Sequence, residues 1–194
     1  YGYHVLECPR FEADDILGTL AFALEKSGGE CVIATGDRDA LQLISDNVKV
    51  LLSSTKMGKP EIITFDKAAL LEKYGLTPNQ MIELKALMGD TSDKIPGVSG
   101  VGEKTATELI LKYSTLDGVY ENIDSDDIRP ALRAKLENDR DNAYLSRFLG
   151  TISREAPISL NPDDYLPLPQ NVNALSAFMT DLELFRLMDS MGIS

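Results

Sequence analysis

The sequence is poor in the residues that several common kinds of active site require. Its 194 residues include two cysteines, Cys8 and Cys31, one histidine, His4, and no tryptophan. The cysteines lie in apolar, strand-like contexts without a Cys-x-x-Cys pair, so we expect buried, reduced thiols and no zinc site. A hydrolase that relies on histidine would have only His4 to use. Reduced thiols are typical of a cytoplasmic protein.

Positive charge and long apolar runs are also scarce. Lys and Arg number 19 against 31 Asp and Glu, which gives a formal net charge of −12. A simple electrostatic binder of nucleic acid is normally basic, so this charge argues against one unless metal ions neutralise clustered acids. No apolar run approaches the roughly 18 residues of a membrane span, so we expect no membrane partner.

Alternating strand and helix patterns in the first half of the sequence predict an α/β fold. The predicted elements are a strand at 5–6, a helix from Asp14 to about 26–29, a buried strand at 30–35, a helix from Ala40, and strands at 48–52 and 61–65. The strand–helix–strand unit implies a parallel-rich sheet, with the last strand paired to 48–52. Ligands of such sheets bind beyond the carboxyl ends of strands.

Helical patterns dominate the second half. Thr77, Pro78 and Gln80 have the spacing of a helix cap, first position and capping box. Further helices are predicted at 66–73, 104–113, 116–120, 127–138 and 140–149, with one closing amphipathic helix at 174–188 after an irregular, proline-rich stretch. We therefore divide the sequence into an α/β core at 1–93, a helical region at 94–150 and an extension at 151–194.

Seven acidic residues recur where these elements begin or end. They are Glu12, Asp14, Asp15, Asp37, Asp39, Asp90 and Asp93. Asp14 and Asp15 could simply cap the first helix. Asp90 and Asp93 are three residues apart, which on one helical turn aims both side chains the same way. Oxygen ligands without His or Cys favour Mg²⁺ or Mn²⁺, and two ions about 4 Å apart can promote phosphodiester cleavage.

A glycine-rich turn, formed by residues 97–102, follows these acids directly. Glu103 interrupts the spacing of a Walker A loop, and Thr105 stands where a dinucleotide-binding fingerprint requires glycine. We interpret the segment as two helices joined by a turn whose main-chain N–H groups grip a nucleic-acid backbone, with Lys104 and Thr105 at the following helix start. The alternative is a helix C-cap followed by an unrelated turn.

Four segments together resemble a known family. Residues 11–15, 35–43, 89–97 and 100–106 match, in order and spacing, the 5′ nuclease domain of bacterial DNA polymerase I, which belongs to the flap endonucleases. The resemblance covers nearly the whole chain. It implies a PIN-like or resolvase-like α/β core with a helix-three-turn-helix region. It also implies a structure-specific nuclease that cuts 5′ flaps and removes RNA primers and nicked 5′ ends.

The resemblance also implies roles for individual residues. Glu12, Asp14, Asp15, Asp37 and Asp39 would hold the metal ions nearest the reaction, while Asp90 and Asp93 would complete the shell of the second ion. The turn would grip duplex DNA carrying a 5′ flap or nick, and in this family it often holds a potassium ion through backbone carbonyls. The expected DNA contacts are Arg38, Lys94, Gly97, Val98, Gly100, Val101, Gly102, Lys104 and Thr105.

The chain departs from the family pattern at two places. Lys94 stands where members usually have Asn. The family also begins earlier, with a strand carrying another aspartate and a basic helical region, whereas this chain opens at Tyr1. We therefore expect a monomeric fragment from a protein of the bacterial cytoplasm and nucleoid, with or without a covalently linked polymerase. The alternatives are a non-catalytic duplex-binding fragment and a related PIN-type RNA nuclease.

Overall fold

The computed structural model describes residues 2–56 and 58–193. Its strands are β1 Cys31–Thr35, β2 Val48–Lys56 and β3 Lys59–Phe65. Its α-helices are α1 Ala13–Lys26, α2 Lys67–Tyr74, α3 Pro78–Met88, α4 Glu103–Tyr113, α5 Leu116–Glu121, α6 Pro130–Asn138, α7 Arg140–Gly150, α8 Val172–Asp181 and α9 Phe185–Met191. Short 3-10 helices span Arg38–Leu43 and Pro162–Tyr165. Within the described ranges, no helix is both long and apolar enough to cross a membrane.

The described strands form one mixed sheet in the order β1-β2-β3. β1 and β2 are parallel, with Cys31 opposite Val48, and β2 and β3 are antiparallel, with Val50 opposite Phe65. The predicted α/β fold and the pairing of the third strand with the second are confirmed. The helix predicted from Ala40 is instead the 3-10 helix, a form that occurs mostly in short pieces such as this one.

The segment before α1 differs from the sequence-based prediction. Residues 5–6 form no strand, and the Val5 side chain is 87% exposed. Gly2 carbonyl accepts one hydrogen bond from the Leu168 N–H, but the neighbouring Pro167 and Pro169 lack the donors that a strand ladder needs. The expectation of buried thiols was wrong, because Cys8 and Cys31 are only partly buried, although both are free thiols.

Two hydrophobic clusters form the interior. The first lies between α1, the sheet and α2, and includes Leu41, Phe65 and Leu70. The second lies among α3 to α7, and includes Leu87 and Ile110. Half-buried side chains of Tyr74 and Met81 pack against both clusters, so the sheet and the helical region share one continuous interface. The domain boundary at residue 93 stays a prediction.

The closing helix predicted at 174–188 is wrong as a single element. α8 and α9 are separated at Glu183, whose φ of 55° lies in the left-handed region that stops a helix. The break folds α9 back so that Met188 packs with Leu175 and Met179 in a small cluster of their own. A straight helix would leave these apolar side chains unable to bury one another.

Between α3 and α4 the backbone approaches itself closely at two glycines. Gly89 and Gly97 have φ of 70° and 60°, and a Cβ added to Gly97 would lie 2.3 Å from the backbone nitrogen of Gly89. The Gly97 N–H donates to the buried Ser146 hydroxyl on α7 at 2.8 Å, and the Val98 N–H donates to the Leu87 carbonyl on α3 at 2.8 Å. The start of the turn is therefore fixed to both flanking helices.

Replacing Gly97 by Ala is expected to destabilise the chain by about 3 kcal/mol, through backbone overlap and a positive φ. Gly102→Ala is the matched control, because its φ is −93° and an added Cβ would meet nothing within 4 Å. Because Gly102 is the N-cap of α4, where Ala is less favoured than Gly, we expect that variant to lose no more than about 1 kcal/mol. Urea unfolding measures the stability of both variants. Equal losses would contradict the close approach of the Gly89 and Gly97 backbones.

Candidate functional site

The acids at the start of α1 combine capping with electrostatic contact. Glu12 and Asp15 form a capping box, in which the Glu12 N–H donates to Asp15 Oδ2 at 3.1 Å. Asp15 Oδ1 accepts a second hydrogen bond from the Ser153 N–H at 2.8 Å. Both carboxylate oxygens of Asp15 thus already have backbone donors, and the capping alternative read from the sequence describes this residue. The predicted metal role of Glu12 and Asp15 stays a prediction.

Asp37 and Asp39 lie directly beyond the carboxyl end of β1. The Asp37 carboxylate caps the 3-10 helix by accepting from the Asp39 N–H at 2.8 Å, which fixes the two acids relative to each other. Burial raises the pKa of Asp14, and the charges of Asp37 and Asp39 raise it further. The structure therefore brings Asp14, from α1, into the electrostatic field of the two acids that follow β1.

A buried lysine gathers three of the predicted ligands. Lys85, on α3, is 6% exposed, and its Nζ lies 3.1 Å from Asp90 Oδ2, 3.0 Å from Asp93 Oδ2 and in close contact with Asp39 Oδ2. Burial acts to lower the pKa of this ammonium, but hydrogen bonds to Asp39, Asp93 and Asp90 outweigh it and raise the pKa above its usual value. Lys85 is therefore charged throughout the neutral range.

Lys85 was missed by the sequence analysis. One signal could have found it: it lies between Leu84 and Ala86-Leu87, all buried, in the middle of an apolar helix. A lysine at such a position is almost never fully buried unless its charge is paired. The pairing acids, however, come from other elements. Gly150 on α7 makes room for the lysine stem, since a Cβ there would approach Lys85 Cδ to 3.3 Å.

A non-helical turn brings Asp90 and Asp93 together. Their spacing predicted that one helical turn would do so, and that geometry was wrong. α3 ends at Gly89, whose positive φ turns the chain away, and Asp90 then exchanges two backbone hydrogen bonds with Ile95. The Ser92 hydroxyl and Lys85 hydrogen-bond to the Asp90 carboxylate and hold its pKa at about 2. Lys94 has φ of 59°, a left-handed conformation that Asn adopts more readily than Lys.

These residues fit a hard divalent cation in chemistry and charge. Among the residues that the structure describes, however, no three His, Cys, Asp or Glu side chains converge as a ready set of metal ligands. Asp39, Asp90 and Asp93 converge on the Lys85 ammonium instead. The donor set thus has the oxygen atoms that Mg²⁺ prefers, with a positive side chain at the point where they meet.

Some of the residues predicted to contact DNA are exposed, and others are buried. Val98 and Val101 are 2% and 3% exposed and belong to the helical core. Gly102 and Lys94 are exposed, and Arg38 lines a small cavity beside Asp39 and Asp90. Gly100, Lys104 and Thr105 instead line an open groove of about 580 Å³ between α4 and α6. Other charged residues on the groove are Glu108, Asp127, Arg129 and Lys135.

Fold and site together define a mixed α/β protein whose carboxylates meet a helical region at a glycine turn. Two family models cover this arrangement. The model described as 5′-3′ exonuclease, N-terminal resolvase-like domain, matches residues 1–75, and the model described as 5′-3′ exonuclease, C-terminal SAM fold, matches residues 76–173. The chain belongs to the 5′-3′ exonuclease family. The family resemblance and the fold class predicted from the sequence are confirmed.

Curated relatives include DNA polymerase I from several bacteria. The protein of Caldicellulosiruptor bescii is 39% identical over 190 residues, which make up 98% of this chain and 22% of that protein. The protein of Bacillus caldotenax is 45% identical over 165 residues, 84% of this chain and 18% of that protein. The chain thus spans about a fifth of the length of these relatives.

Solved structures show the same fold. T5 5′-exonuclease with bound zinc ions has a TM-score of 0.58 and 22% identity, covering 72% of this chain and 49% of that one. The catalytic core of Rad2 in complex with DNA substrate has a TM-score of 0.62 and 20% identity, covering 93% of this chain and 57% of that one. At these identities the likeness establishes architecture only.

Replacing Asp90 by Asn in the presence of EDTA is expected to cost stability in a pH-dependent way. Because the folded pKa of about 2 lies below the ordinary Asp pKa of 3.8, the carboxylate stabilises the folded state above about pH 4 and loses that effect as the pH falls towards 2. Partial exposure limits the loss to about 1 kcal/mol at pH 7, shrinking to roughly half at pH 3.

Urea unfolding at both pH values measures this loss. The matched control is Asp46→Asn, which removes a single exposed ion pair with Lys67. Such a pair contributes about 0–1 kcal/mol, so we expect little change at either pH. A loss at Asp90 that does not depend on pH would contradict the assigned hydrogen bonds.

Proposed function

We propose that the chain belongs to a metal-dependent 5′ nuclease that acts as a 5′-3′ exonuclease and 5′-flap endonuclease on DNA during replication and repair. The observation that carries the proposal is the meeting of acids from two regions. Asp14, Asp37 and Asp39 come from the resolvase-like part, and Asp90 and Asp93 come from the turn after α3. Membership of the 5′-3′ exonuclease family supports the reaction class.

The proposed cofactor is a pair of Mg²⁺ or Mn²⁺ ions. Glu12, Asp14, Asp15, Asp37 and Asp39 would hold the metal ions nearest the reaction, and Asp90 and Asp93 would complete the shell of the second ion. Bound there, the ions supply an activated water and stabilise the leaving 3′ oxygen. The chain's own contribution is to orient the oxygens, as the Asp39 N–H does for Asp37. Metal-bound T5 5′-exonuclease and T5 D15 protein are relatives in fold that support a divalent ion.

The proposed partner is duplex DNA bearing a 5′ flap or nick. Lys104, Arg129 and Lys135 give the groove beside the turn three positive side chains for phosphates. Gly97, Val98 and Val101 contribute by fixing the turn, while Gly100, Gly102 and Thr105 lie at its exposed side. Arg38 and Lys94 are exposed near the acids and would meet the phosphate close to the cleaved bond.

Further parts of the proposal concern the protein to which this segment belongs. The DNA polymerase I relatives support a covalently linked polymerase and a place in the bacterial cytoplasm, at the nucleoid. A potassium ion at the turn would bind backbone carbonyls. One of them, that of Gly100, already accepts a hydrogen bond from Lys135 Nζ at 3.1 Å. We propose a monomer. The alternative functions are a DNA-binding fragment without turnover and a PIN-type RNA nuclease.

A labelled 5′-flap substrate tests the proposal. In millimolar Mg²⁺ the chain is expected to release the flap, and Asp37→Ala is expected to lower the rate by at least about 100-fold, because it removes a ligand and the cap that positions Asp39. Asp46→Ala, at an exposed acid outside the site, is the control and should keep the rate. Binding of the flap duplex without cleavage would favour the fragment alternative. Preferential cleavage of single-stranded RNA would favour the RNA nuclease.

Divalent ions are expected to raise the melting temperature of the chain. Acids held close together repel one another, and an ion that binds only the folded state stabilises it by mass action. Each kcal/mol gained corresponds to roughly 2–4 °C in a chain of this size. Differential scanning fluorimetry with MgCl₂, against tetramethylammonium chloride at matched ionic strength, measures the shift, because that bulky cation cannot occupy the proposed potassium site. An unchanged melting curve would count against an assembled site.

A further inference from the structure

Lys85 stands at the point where the two groups of acids meet. Its Nζ contacts Asp39 from the 3-10 helix after β1, and Asp90 and Asp93 from the turn after α3. The lysine is 6% exposed, whereas the three carboxylates keep between a quarter and about half of their side-chain surface. The ammonium therefore faces the acids from the protein side, and solvent reaches them from the other.

Without a cation these three carboxylates would repel one another strongly. Charges of like sign within a few ångströms cost free energy even at the intermediate dielectric of a protein surface. The Lys85 ammonium offsets that repulsion with a single positive charge and three hydrogen-bond donors. A lysine of this kind performs in the metal-free chain the electrostatic task that a divalent ion performs when bound.

The same oxygens cannot serve both cations fully. Asp39 and Asp90 each direct one oxygen, Oδ2, at Lys85, and a divalent ion with a short coordination distance would draw those oxygens away from the ammonium. The lysine stem has little room to follow, because it is enclosed by the helical core and by Gly150 on α7. Metal binding and these ion pairs are therefore linked, and each weakens the other.

We propose that Lys85 is a positioning residue whose ammonium holds Asp39, Asp90 and Asp93 together in the metal-free chain and gives up at least one of these contacts when a divalent ion binds. The inference rests on the proposed function in one respect only, namely that these carboxylates take a divalent ion. A permanent structural ion pair, unaffected by metal, is the competing account.

Metal affinity of a charge-free variant provides the first test. Lys85→Met keeps an unbranched side chain one atom shorter than Lys and removes its charge, and Lys67→Met, which removes the exposed pair with Asp46, is the matched control. By calorimetry with MnCl₂ we expect Lys85→Met to bind about tenfold more tightly than wild type, a coupling within the usual range. Lys67→Met should bind like wild type. Equal or weaker binding by Lys85→Met would overturn the proposal.

Stability in EDTA gives the same variant a second readout. Removal of the ammonium leaves three unpaired carboxylates, so we expect Lys85→Met to melt below wild type and below Lys67→Met. Saturating Mn²⁺ should shrink that gap, because the ion then supplies the missing charge. A gap that Mn²⁺ leaves unchanged would show that the metal and the ammonium act on different groups, which contradicts the proposal.

Amine labelling of the wild-type chain needs no variant at position 85. Lys85 is expected to acetylate far more slowly than the half-exposed Lys67 in EDTA, and to gain reactivity when Mn²⁺ displaces it from its partners. Mass spectrometry of the peptides measures both rates. Manganese binding that leaves the Lys85 rate unchanged would overturn this inference alone. Failure of every form to bind Mn²⁺ would overturn the proposed metal chemistry as well.

Discussion

One ammonium group joins the two regions of the chain on which the acids reside. Lys85 pairs with Asp39 across the interface between the 3-10 helix and α3. The buried Gln42 side chain on the 3-10 helix donates to the Gly150 carbonyl at the end of α7 and accepts from the Ile152 N–H, each at 2.9 Å. Buried polar groups of this kind add little net stability, yet each is satisfied in one arrangement only. Their role is therefore to fix the register of the helical region against the sheet, and with it the spacing of the acids.

The glycines between α3 and α4 have two structural roles, which differ with position along the segment. Gly89 and Gly97 allow two backbones to cross, and the N–H of Gly97 is used inside the protein by Ser146. Gly100 and Gly102 remain on the surface, beside the groove that carries Lys104, Arg129 and Lys135 together with Glu108 and Asp127. The buried half anchors the turn next to Asp90 and Asp93, so the groove keeps a fixed distance from the acids. The proposed function, in which a duplex bound at the groove is cut at a set distance from it, requires such a fixed relation.

Local rules predicted local features well and long-range contacts poorly. The Thr77–Gln80 capping box and the pairing of β2 with β3 follow from short-range spacing, and both are observed. Spacing also identified the acids, although the geometry at Asp93 depends on a turn and not on a helix. Lys85 and Gln42 escaped notice because each has a partner that is distant in sequence, Asp39 at 46 residues from Lys85 and Ile152 at 110 residues from Gln42. The break at Glu183 was missed because it depends on a cluster that only the folded-back helix can form.

The central claim is that Lys85 and Asp39, from different regions, share one charge-paired contact that positions the acids. A double-mutant cycle tests it most directly, with Lys85→Met, Asp39→Asn and the double variant unfolded by urea in EDTA at pH 7. The account predicts a coupling free energy of about 1–3 kcal/mol between the two positions. Additive effects, with a coupling below about 0.3 kcal/mol, would contradict it.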